Sequence, residues 1–171
     1  HAVATGKFAV GEEIAHPFAP LRPFLVEAGD GEHIRQIDLI DELARFSGMR
    51  VYESNPTHLN IAHDSPCFAG FLAARDLHEA DFGLLIDVDV PWIPVFASEN
   101  PETWWAHVDV DTVKKDFPMW SFPAHLRIQA DSAGVLLRLL EVMRDRASPV
   151  YREGAKARLT ILAGQREAAH V

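Results

Sequence analysis

Phe82-Gly83-Leu84-Leu85-Ile86-Asp87-Val88 is a near-continuous apolar run of strand length. A strand wetted on one face alternates apolar and polar side chains. A run without alternation is buried on both faces, as in a parallel sheet covered on each side. A short helical piece over 71–79 leads into this strand, and Pro91, Pro94 and Pro101 impose a long irregular connection after it.

Upstream, Pro23-Phe24-Leu25-Val26-Glu27-Ala28 is a second buried strand, closed by the turn Gly29-Asp30-Gly31. Ile34, Ile37, Ile40, Leu43 and Ala44 then recur at spacings of three and four, the signature of a helix with one apolar face. Gly48 stands where a C′ glycine stops such a helix. Met49-Arg50-Val51-Tyr52-Glu53 follows as a strand, and the intervening helix is long enough to make the two strands parallel neighbours. Residues 54–70 read as loop.

Downstream, Trp104–Val110 is a strand, 111–125 a loop, and Leu126–Ala130 a short last strand. Asp131 caps a helix with the stripe Val135, Leu136, Leu139, Val142 and Met143. Ser148-Pro149 opens another, with proline at the first helical position. The expected fold is α/β, a three-layer Rossmann-like domain with a mainly parallel sheet of about five or six strands flanked by helices. Residues 1–22 are a lead-in, 23–146 the domain, and 147–171 a helical linker.

At 171 residues, 48% of them apolar, the chain is long enough for one domain with a core of its own, or at most two small ones. The single cysteine, Cys67, forms neither an internal disulfide nor a Cys-rich zinc site. A net charge of −9 repels a phosphate backbone, so nucleic acid is not an expected partner. No run reaches the length of a membrane span, and residues 1–10 lack the basic and apolar parts of a signal peptide. A cytoplasmic location is the expectation, and a leading His in place of Met suggests a tag scar or a trimmed fragment.

Four constellations could carry chemistry. Gly29, Asp30 and Gly31, at a strand end before a helix, could let a phosphate approach the backbone, with Glu53 taking a ribose hydroxyl. The third glycine of G-x-G-x-x-G is absent, because Ile34 holds its place, and a plain strand-to-helix turn accounts for the motif better. Asp87 with Asp89, and Asp109 with Asp111, put paired carboxylates at strand ends where Mg²⁺ could sit; strand-exit turns explain them more simply. His58, His63 and Asp64 lie in a Pro-rich loop without a zinc-binding helix pattern, and Cys67 shows no activating base. Trp92, Trp104, Trp105, Phe117, Trp120 and Phe122 either anchor loops to the core or fill an interface.

In their order along the chain, these elements resemble a known family. Arg22–Gly29 is similar to an opening strand that ends in an Ala-Gly turn. His63-Asp64-Ser65-Pro66 with Gly70 is similar to a loop bearing His or Asp before Pro. Ala80-Asp81 before Phe82–Ile86, Val108-Asp109-Val110-Asp111, and Ile128-Gln129-Ala130-Asp131 before a helix complete the pattern. Together they resemble the central domain of thiamine-diphosphate-dependent enzymes of the acetolactate synthase, pyruvate oxidase and benzoylformate decarboxylase type, over about residues 20–146.

The resemblance implies a parent enzyme acting on 2-oxo acids by decarboxylation or carboligation, with thiamine diphosphate and Mg²⁺ held by other domains. It implies N- and C-terminal domains of the same chain as partners, a dimeric or tetrameric assembly, and no catalytic or metal-binding residue within 1–171. Some relatives hold FAD or ADP in this domain, with a glycine after the Ala-Asp strand. Here Asp87-Val88-Asp89-Val90-Pro91-Trp92 takes that place, and its carboxylates disfavour a nucleotide's phosphates. The expected role is structural, or that of a vestigial nucleotide site. The alternative is a stand-alone FAD-, ADP- or NAD-binding module using Gly29, Asp30, Gly31 and Glu53. A sirtuin-like deacylase, a third option, would need a Cys₄ zinc site that one cysteine cannot supply.

Overall fold

A computed structural model describes Ala2–Val3, Pro23–Glu27 and residues 33–56, 58–113 and 124–169; before Gln36 and at Ala169 it describes the backbone alone. The elements run β1 (Ala2–Val3), β2 (Pro23–Glu27), α1 (His33–Ser47), β3 (Arg50–Glu53), β4 (Phe68–Gly70), β5 (Phe82–Ile86), β6 (Trp104–Asp109), β7 (Leu126–Gln129), α2 (Ser132–Arg146) and α3 (Pro149–Ala169). Among the described residues the strands form one sheet in the order β4-β3-β2-β1-β5-β6-β7. All pairings are parallel except those of β1, which lies antiparallel between β2 and β5.

The α/β character and the parallel pairing agree with the sequence reading. The count of five or six strands needs correction, because two of the seven strands are too short to show a pattern. β1 falls in the expected lead-in, and β4 falls in the expected loop, held by pairing with Val51 and Tyr52. The helical piece over 71–79 is also corrected. It is two 3-10 turns, Ala73–Arg75 and Leu77–Glu79, closed by i to i+3 bonds.

The three long helices pack together on one face. Ile40 and Leu43 of α1, Leu136 and Leu140 of α2 and Leu162 of α3 meet Val51, Leu84, Ile86 and Val108 of the sheet. The segment after residue 147 is therefore built into the core. The opposite face is covered differently. Ala73 and Leu77 of the 3-10 turns and Val88 and Trp92 of the loop after β5 pack on Tyr52, Leu85 and Trp105. The two-residue alternation of a strand sends 84 and 86 one way and 85 the other.

Two glycines make these contacts feasible. Gly48 has φ +64 and ends α1 as expected; Met49 N–H bonds back to Ala44 C=O at 2.9 Å, the Schellman closure. A Cβ at Gly48 would lie 2.5 Å from Ala155 O of α3. A Cβ at Gly83 would lie 2.0 Å from the Trp105 ring, so the indole stands on bare backbone.

Candidate functional site

β2, β3, β5 and β6 run parallel, so their carboxyl ends share one sheet edge. Open α/β sheets bind ligands along such edges. Here the four strands close on Glu27, Glu53, Ile86 followed by Asp87, and Asp109. Gly29, Asp30 and Gly31 lie outside the described residues.

Glu53 is buried, and both oxygens are engaged. Oε1 accepts the Asn60 N–H at 2.6 Å, and Oε2 lies 2.7 Å from His63 Nε2. The His63 ring stacks on Phe68 with centroids 4.2 Å apart. A ribose hydroxyl reaching Glu53 would have to displace a loop bond or an imidazole. This carboxylate fastens the loop after β3 rather than standing open.

Asp87 leaves β5 with φ 48, a left-handed conformation that Asp tolerates better than most residues. That turn brings its carboxylate to the helix layer. Oδ1 accepts Ser132 Oγ–H at 2.6 Å, and Oδ2 accepts Gln36 Nε2–H at 3.0 Å. The first turns of α2 and α1 are thus tied to the end of β5. Burial pushes the Asp87 carboxyl above its usual range, the two donors oppose that, and the charge of Asp109 adds to it.

Asp109 is buried beside His107. Arg127 Nη1 lies 3.0 Å from His107 Nδ1. A guanidinium only donates, so Nδ1 accepts and the ring proton sits on Nε2, 3.6 Å from Asp109 Oδ2. Burial pulls the His107 pKa down and keeps the ring neutral. Asp109 Oδ1 accepts the Asp111 N–H at 2.8 Å, and Asp111 Oδ1 accepts the Val113 N–H at 3.2 Å. These are the strand-exit turns expected of closely spaced aspartates.

Asp89, by contrast, is exposed. Among the described residues, no group of three or more His, Cys, Asp or Glu could hold a metal ion. The four aspartates are not brought together as a Mg²⁺ site, nor His58, His63 and Asp64 as a zinc site. Cys67 is buried, and its thiol is pushed up to about 12 by that burial, with Asp41 adding to the effect. It is a small core residue and stays protonated.

The tryptophans divide as loop anchors and core. Trp92 packs on Trp105 with ring centroids 4.9 Å apart, and Trp104 stacks on Phe82 at 5.5 Å. Phe117, Trp120 and Phe122 lie outside the described residues. The partners of the edge carboxylates were not anticipated. Gln36 and Ser132, the partners of Asp87, come from distant elements, and Arg127 reaches His107 beside Asp109 rather than a carboxylate. No family model and no curated protein matches this chain.

Proposed function

We propose that this chain is a central, structural domain of a thiamine-diphosphate enzyme acting on 2-oxo acids, of Rossmann-like three-layer build, and that it binds no nucleotide. The element order of the sequence motifs supports the family. One observation carries the structural role: Asp87, at the sheet edge where a nucleotide's phosphates would sit, already holds donors from α1 and α2. An incoming phosphate would meet a carboxylate whose partners are taken, with Asp109 close behind. Thiamine diphosphate and Mg²⁺ belong to neighbouring domains on this reading, and this domain orients them and contributes contacts within a dimer or tetramer.

The test has two parts. The reading frame around these residues should continue into a domain bearing the cofactor-activating glutamate on one side and a Gly-Asp-Gly cofactor domain on the other. Thermal melts with FAD, ADP and NAD should show no concentration-dependent rise. A saturable rise with any of them would favour the stand-alone nucleotide module, and a frame without those neighbours would defeat the family reading.

A further inference from the structure

The loop between β5 and β6 presents an apolar tip that nothing in the preceding reading uses. Ile93 is 46% exposed, Val95 80% and Phe96 81%. Scattered single apolar residues on a surface are ordinary, but three within four positions form a patch. The tip is also held rigidly. Trp92, just before it, is buried against Trp105, and Ala97, just after it, packs on the same cluster. Phe96 N–H and Ala97 N–H both bond to Ile93 C=O, at 2.9 and 3.2 Å, which closes a turn. An anchored turn loses little freedom when a partner lands on it, and aromatic side chains are enriched at the cores of protein interfaces.

Its charge surroundings select the partner. The loop of residues 87–103 carries Asp87, Asp89, Glu99 and Glu102 and no Lys or Arg. Asp89 and Glu102, on the same loop, are exposed, and Glu99 is partly so. Arg75 is the one exposed cation described on the neighbouring 3-10 turns. Arg50, reaching the same face, is occupied by Glu79 at 3.3 Å and Asp76 at 3.6 Å. An apolar tip set among carboxylates repels anionic lipid and nucleic acid and attracts an apolar surface edged with cations.

We propose that Ile93, Val95 and Phe96 form a docking surface for a protein partner that presents an apolar face flanked by Lys or Arg, such as a basic amphipathic helix. This proposal stands apart from the thiamine-diphosphate reading, since it needs only the tip and its charge. A fluorescently labelled helical peptide of Leu and Lys, titrated against the whole chain, tests it; a matched peptide of Leu and Glu is the control. Saturable binding of the Lys peptide alone is expected. Val95→Ser with Phe96→Ser should weaken it about tenfold. Asp89→Asn with Glu99→Gln and Glu102→Gln should weaken it less, and should flatten its salt dependence. Val95 and Phe96 are at the surface, so the Ser variant should melt as the parent does. Equal binding of both peptides, or Lys-peptide binding untouched by the Ser variants, would overturn the proposal. So would self-association through Phe96 in sedimentation, or binding of phosphatidylserine vesicles that the Ser variants abolish.

Discussion

The two faces of the sheet bury their apolar side chains by different means, and the helix face holds the larger cluster. On the helix face, α1, α2 and α3 lay continuous stripes across the strands, and many medium-sized side chains share the contact. On the loop face, two short 3-10 turns and an irregular loop do the covering, and a few large groups carry it, chiefly Tyr52, Trp92 and Trp105. A helical layer spreads its stability along a period. A loop layer concentrates it in single side chains and in the space left for them.

That contrast can be broken most directly by truncation. Trp105→Ala should cost about 3–5 kcal/mol, at the top of the range for core residues, because the Trp92 loop loses its floor. Leu136→Ala on the helix face should cost about 2–5 kcal/mol, with neighbours better placed to close the gap. Urea unfolding of both variants decides it. A Trp105 variant less damaged than the Leu136 variant would show that the loop face is not concentrated in this way.

Gly83→Ala sharpens the same point. A methyl there meets the Trp105 ring at 2.0 Å, so the substitution should cost about 1–3 kcal/mol by overpacking. In a Trp105→Ala background the cost should largely vanish. Additive losses in the double-mutant cycle would mean that the glycine serves something other than the indole.

The smallest effect concerns the edge that joins the two faces. Burial raises the Asp87 pKa, so the folded chain holds that proton more tightly than the unfolded chain. Its contribution is fully present below the ordinary Asp range and is lost as pH rises through the raised folded value. Asp87→Asn keeps a side chain that suits positive φ and removes the titration; Gln36 can turn its amide to match. Melts from pH 3 to 7 should therefore show the variant gaining on the parent as pH rises. Parallel curves would show that Asp87 ionises as freely in the folded chain as in the unfolded one.

The helix face was largely legible because its signals are local and periodic. Ile37, Ile40, Leu43 and Ala44 announce α1, and Gly48 marks its end. Asp131 accepts the Gly134 N–H, and Ser148 Oγ accepts the Tyr151 N–H, each as its cap position suggests. β4 was not legible, and the helical piece over 71–79 was legible in its place but not as two 3-10 turns, because three-residue elements carry no period and depend on partners elsewhere. At the site, the aspartates could be read as strand exits. Their ties could not, since Gln36 lies 51 residues from Asp87 and Ser132 lies 45 away. Glu53 could be read as a ribose acid because nothing in the pattern of the following loop, His63 included, says that it folds back onto that carboxylate.

β1 has a consequence for how the molecule opens. It lies between β4-β3-β2 and β5-β6-β7, and beside it β2 and β5 also approach each other directly, with one paired position, Pro23 with Phe82. Ala2 pairs with both Leu25 and Leu84, so a two-residue strand from one end of the sequence seams together segments far apart along it. Such a seam forms late, after long loops have closed, and it parts early. Amide exchange at β2 and β5 should therefore report openings that leave each half-sheet intact, with α1 and its contacts to α2 and α3 holding the halves together until the whole unit gives way.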